Sequence, residues 1–170
     1  CWLGLDLSEV GDLTALAVVW EVPAEGTMTV PNPRAAESGQ PPTIEVPRTI
    51  LNAWAEGFLP ADGIRERSRR DRVPYDVWAK AGQLTLVPGK AIDEDWVARN
   101  RVWPLWHQLN VAKAGFDRWG FKSFRKALNR AGMAEVTIDK RWEPIGMGTT
   151  TMTPVLKELE TRILNGTFRH

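Results

Sequence analysis

The chain has 170 residues, 43% of them hydrophobic and 25% charged, which suits one domain with a buried core. Its formal net charge of +1 gives no global polyanion-binding signature, so any nucleic-acid contact must come from a local patch. One cysteine excludes an internal disulfide and fits a reducing compartment, and no eighteen-residue apolar run or basic-then-apolar leader marks a membrane span or signal peptide.

Residues 2–7 predict a strand in which Leu3, Leu5 and Leu7 share one face and Trp2, Gly4 and Asp6 the other. Ser8, Gly11 and Asp12 are turn formers, and 13–22 reads as a central strand, apolar enough to be covered on both sides. Residues 23–42 are rich in Pro, Gly, Ser and Glu and read as a surface loop or hairpin extension. A third strand is expected over 43–54, pairing with the second.

The chain is then expected to leave the sheet at Phe58-Leu59-Pro60, with 57–92 forming a helical insertion. Asp62 is placed to cap a short helix through Arg70, which carries Arg65, Arg67, Arg69, Arg70 and, just beyond it, Arg72, interleaved with Glu66 and Asp71. Pro74 opens a second helix that stops at Gly82, and 84–87 is a short strand. Asp93 caps a longer helix with an apolar stripe through Trp96, Val102 and Trp106, kinked or ended near Pro104. A strand over 111–116 ends at Asp117, which shares a face with Lys113 and Gly115. A helix over 121–131 closed by Gly132, a strand over 135–138, a loop over 141–151 and a helix over 152–164 complete the chain. The chain enters a strand without an initiator Met and stops just after a helix, so it is expected to be a piece of a longer protein.

A meander of three strands followed by αβαβα is an α/β mixed sheet with helices on both faces. In that topology Asp6 and Asp117 end neighbouring central strands, where open α/β sheets place their sites. Two carboxylates so close repel unless a cation lies between them, and a hard cation such as Mg²⁺ or Mn²⁺ is the natural partner. Two such ions would suit phosphodiester hydrolysis. The bland alternative for Asp6 is a turn-capping role.

Several stretches together carry a resemblance. G-L-D-L-S and D-L-T-A-L (4–8 and 12–16), R-x-x-x-D-x-V-P-Y-x-x-W-x-x-x-G (67–82) with P-G-K-A-I-D (88–93), G-F-D-R-W (115–119), and M-G-T-T-T-M-T-P-V-L-K-E-L-E (147–160) with N-G-T-F-R-H (165–170) keep their order over nearly the whole chain. They resemble the nuclease domain of tailed-phage terminase large subunits. The resemblance implies a ribonuclease H-like fold in a single nuclease-type domain over 1–170. It implies a metal-dependent endonuclease that cuts concatemeric DNA during genome packaging in the host cytoplasm. Double-stranded DNA, a packaging ATPase domain, a terminase small subunit and a portal are the partners it implies; a membrane is not among them. It makes Asp6 and Asp117 catalytic carboxylates and gives Asp12 a supporting role. The family's third catalytic aspartate belongs to a helix beyond the position of His170, so these 170 residues are expected to cleave weakly or not at all. Asp139 matches nothing in the motif and is only a conceivable stand-in.

The arginines at 65–72 can contact DNA phosphates or form a solvated helix face, and Lys113 can approach a scissile phosphate or sit on the surface. A non-catalytic DNA-binding or docking module of the same fold, and another ribonuclease H-like nuclease of resolvase or integrase type, stay open as alternatives.

Overall fold

The computed structural model describes residues 1–7, 13–37, 39–117 and 120–170. The chain opens with three antiparallel strands, β1 (Trp2–Asp6), β2 (Thr14–Pro31) and β3 (Thr43–Pro60). Helices α1 (Ile64–Asp71) and α2 (Tyr75–Lys80) lead to strand β4 (Leu84–Val87). Helix α3 (Glu94–Val97) runs through a π turn at Ala98–Val102 into α4 (Trp103–Gln108). Strand β5 (Lys113–Asp117), helices α5 (Phe121–Ala131) and α6 (Glu135–Arg141), strand β6 (Trp142–Ile145), helix α7 (Thr149–Leu164) and the short β7 (Phe168–Arg169) follow.

Among the described residues the strands form one mixed sheet in the order β4-β3-β2-β1-β5-β6, with β7 beside β3. β1 and β5 run parallel, as do β5 and β6, and β3 and β4; only β2 runs against the rest. The carboxyl ends of β1, β3, β4, β5 and β6 therefore all lie along one edge of the sheet.

Alternation decides which face is covered. Leu3 and Leu5 of β1, Leu16 and Val18 of β2, Phe58 of β3 and Ala114 and Phe116 of β5 are buried on one face. There they join Val97, Ala98 and Val102 of the α3–α4 segment, Phe121, Phe124 and Leu128 of α5, Ile138 of α6 and Trp142 in a single core. Leu59 and Leu84 are buried on the opposite face, at the β4 edge, where α2 lies against β4.

Several expectations are corrected. Residues 57–92 are not purely a helical insertion: Phe58, Leu59 and Pro60 are fully buried within β3, and β4 pairs with that stretch in parallel. The apolar 58–60 triplet continues the sheet because β4 pairs along all of it, with β2 still flanking Phe58 on the other side. The strand expected at 135–138 is the helix α6, and the strand is the next segment, 142–145. Val136 and Ile138 mimic a strand's alternation, but Ile138 and Trp142, four residues apart, are the pair that reaches the core. Gly63, not Asp62, occupies the N-terminal cap of α1 and makes no side-chain cap bond. β2 extends to Pro31 and pairs with β3 beyond a bulge, so the 23–31 and 43–50 stretches form a long two-stranded ribbon. β2 alternates buried and half-buried positions over Thr14–Val19, where a doubly covered strand would be buried throughout.

Other local readings follow their chemistry. The Asp93 side chain accepts hydrogen bonds from the amides of Asp95 at 2.9 Å and Trp96 at 3.2 Å, capping α3. Pro104 removes the amide that would reach the carbonyl of Asn100, and the helix answers with the π turn immediately before it. Gly132 ends α5 in the left-handed region at φ 115, with its amide donating to the Asn129 and Leu128 carbonyls.

Candidate active site

Asp6 is the last residue of β1 and Asp117 the last of β5. The register pairs Leu5 with Phe116, so the two aspartates are neighbours on adjacent parallel strands, whose spacing is about 4.8 Å. Leu5 and Phe116 point into the core, so both carboxylates project from the opposite face. Asp6 is exposed and Asp117 half-buried.

The surface beside the pair is low. Gly4 lies opposite Ala17 and Gly115, and Asp6 itself faces Ala15. On the far side Asp117 pairs with Ile145 of β6, whose side chain folds over Gly115, where a Cβ would overlap it. Small residues on β1 and β2 therefore leave the carboxylates above a shallow floor on that side, with Ile145 closing the other. β6 was not expected in this position, so Ile145 was missed; the Trp142-Ile145 spacing after a charged helix end was the signal available.

Acidic oxygens on one exposed face form the donor set that a hard divalent cation prefers. The Asp6 side chain makes no hydrogen bond or ion pair among the described residues. Among those residues no group of three or more His, Cys, Asp or Glu side chains could hold a metal ion. Asp139 does not join the pair: it sits on α6, on the core side, hydrogen-bonded to Arg125 at 2.6 Å. Asp12, expected in a supporting role, lies outside the described residues.

The basic residues divide. Lys113 is four residues upstream of Asp117, opposite Trp2 at the far end of β1, and is ion-paired with Glu143. At about 3.3 Å per residue it stands roughly 13 Å from the carboxylate end of the strand. Helix α1 leaves the carboxyl end of β3, the same edge as the acids, and carries Arg65, Arg67, Arg69 and Arg70, with Arg72 at its C-terminal cap. Arg70 is bound to Asp71 through two hydrogen bonds of 2.7 and 3.1 Å. That guanidinium lowers the Asp71 carboxyl below its ordinary value, chiefly through the hydrogen bond. Arg67 is half-buried, and Arg65, Arg69 and Arg72 are exposed. Lys90, in the loop after β4, is exposed on the same edge.

No protein-family model matches the chain. The terminase large subunit of Enterobacteria phage HK97 is 28% identical over 169 residues, a match that takes in 99% of this chain and 28% of that protein. The crystal structure of the HK97 bacteriophage large terminase superposes with a TM-score of 0.72 at 28% identity, over 99% of this chain and 29% of that one. The chain thus spans a little over a quarter of the length of the relative it matches. Similarity in sequence and in overall structure, each over 99% of the chain, makes it a homologue of a segment of the HK97 large terminase, with a ribonuclease H-like mixed sheet.

Proposed function

We propose that this chain is the metal-dependent endonuclease domain of a terminase large subunit, cutting double-stranded DNA as concatemeric genomes are packaged in the host cytoplasm. The observation that carries the reading is the placement of Asp6 and Asp117 at the ends of neighbouring parallel strands, on the exposed face of the sheet. Asp6 and Asp117 would hold Mg²⁺ or Mn²⁺, in a two-ion arrangement. The chemistry such ions supply is activation of water and neutralisation of charge on the leaving oxygen. The chain's own part is to fix the two carboxylates on adjacent strands, so that their positions do not depend on loop conformation. The small residues Gly4, Ala15 and Ala17 leave the β1–β2 side of the pair low for the backbone of a duplex, while Ile145 walls the β6 side over Gly115. An ATPase domain, a small subunit and a portal are the partners this reading places around the domain.

The test is nicking of supercoiled plasmid in Mn²⁺ by a protein extended past His170, with the Mn²⁺ affinity of the chain itself measured in parallel by calorimetry. Asp6→Asn and Asp117→Asn each remove one charge with almost no change of shape. Both are expected to abolish cleavage and to weaken Mn²⁺ binding by tenfold or more, the scale of a lost charged ligand, about 1.4 kcal/mol. Unimpaired nicking by the extended Asp117→Asn protein, or Mn²⁺ affinity indifferent to both substitutions, contradicts the proposal.

A further inference from the structure

The arginines on α1 are not equivalent. Arg65, Arg69 and Arg72 are spaced four and three residues apart, which puts them on one face of the helix and its cap. Together with Ser68 and Asp76 they line a concavity of about 380 Å³ between α1 and the start of α2. Among the described residues none of the three makes an ion pair, whereas Arg70, on another face, is fully engaged by Asp71. Three guanidiniums thus face one hollow with Asp76 as the single acidic residue lining it. Like charges at this spacing repel, and the arrangement gains only when an anion enters.

The backbone supports the same conclusion. Arg72 is the one non-glycine residue with positive φ among the described residues, at 57°. Its amide closes α1 by donating to the Ser68 carbonyl, a position where glycine is the unstrained choice. An arginine held in the left-handed region at the rim of a cationic hollow has its direction fixed by the helix end. The hollow opens beside α1, which follows the carboxyl end of β3; Gly57 of β3 lies two strands, about 10 Å, across the sheet from Asp6, and β3 runs three residues further, to Pro60, before α1 begins.

We propose that this hollow seats backbone phosphates of the duplex that is cut at the Asp6–Asp117 pair, with Arg65, Arg69 and Arg72 as the contacting groups and Arg70 excluded. The assignment rests on the endonuclease reading for what the duplex is doing there. Guanidinium groups suit it, because they bind phosphate oxygens through two parallel hydrogen bonds and position a duplex without reading its sequence.

The experiment is fluorescence anisotropy of a short labelled duplex titrated with the chain in EDTA, over a range of salt concentrations. Arg65→Gln and Arg69→Gln are each expected to weaken binding by about tenfold, the scale of a lost charge-assisted contact, and to reduce the slope of log K against log salt by about one. Arg70→Gln removes the same charge and is expected to change neither. Arg72→Gly is expected to weaken binding like the other two while melting no lower than the parent chain, since glycine accepts the left-handed backbone. Mn²⁺ affinity, measured alongside by calorimetry, is expected to stay unchanged in Arg65→Gln and Arg69→Gln and to fall only in Asp117→Asn, which keeps the two proposals separable. Equal losses from Arg69→Gln and Arg70→Gln would reduce the effect to net charge and overturn the assignment. So would unchanged duplex affinity in all three variants, or inorganic phosphate binding that depends on them while duplex binding does not.

Discussion

Gly115 shows how closely one residue is tied to the site. It sits two positions before Asp117, and the Ile145 side chain occupies the space a Cβ would need. Gly115→Ala must push Ile145 aside, on the strand that pairs with Asp117. Overpacking relieved by the far end of one side chain costs about 1 kcal/mol, so the melting temperature should fall by roughly 2–4 °C. Calorimetry that finds the variant as stable as the parent would show that Ile145 moves away freely. The aspartates themselves were legible from alternation alone: apolar Leu3 and Leu5, and then Ala114 and Phe116, set the parity that sends Asp6 and Asp117 to the other face. Of the nine tryptophans, Trp2, Trp20 and Trp54 are exposed on strands of the sheet and Trp78 on α2, because indole count does not reveal which face a residue takes.

At the scale of elements, charged contacts fasten helices to their neighbours. Arg130 of α5 meets Asp95 of α3 through hydrogen bonds of 2.7 and 2.8 Å. The hydrogen bond, with the charge behind it, holds the Asp95 carboxyl below its ordinary value of 3.8. A carboxyl depressed in the folded state contributes stability that is complete above its unfolded value and lost as pH falls through the folded one. The parent should therefore melt higher than Asp95→Asn at neutral pH, and the gap should close as the pH is lowered below about 4. A gap that persists into acid would assign the difference to something other than this ion pair.

Helix α7 has no buried residue, and its anchor is Arg162, whose side chain is 14% exposed. Arg162 joins Glu21 of β2 at 3.0 Å and Glu158 of its own helix at 2.9 Å. Its Nη1 is buried without a protein partner. Arg162→Ala should speed amide hydrogen exchange throughout α7 while leaving β1 and β5 as protected as before, since an element with few apolar contacts opens locally. Uniform acceleration across the sheet would instead make α7 part of the global unfolding unit. Elements with a strong cap or stop, such as α3 at Asp93 and α5 at Gly132, were legible in the sequence. The 135–145 stretch was not, because four residues of mixed polarity satisfy a strand and a helix equally. The clue that separates them is electrostatic: Glu135 in the first turn and Lys140 and Arg141 in the last suit the helix dipole.

The whole molecule places five strand ends on one edge, and everything that leaves that edge is available to a substrate lying across it. The α1 arginines, Lys90 and the start of α7 at Thr149 all emerge there. The β2–β3 ribbon projects from the opposite end and carries no comparable basic cluster. Topology of this kind was readable from the order of the elements: a meander of three strands, then helices alternating with strands. The participation of 57–60 and β4 in the sheet was not, since it depends on a pairing between segments 27 residues apart. The central claim is that Asp6 and Asp117 together hold a divalent ion. Crystals of the chain soaked in Mn²⁺ and measured at the manganese absorption edge test it directly. The account predicts an anomalous peak bridging the two carboxylates, absent from the Asp117→Asn crystal. Manganese bound only elsewhere, with the two carboxylates turned apart, would contradict it.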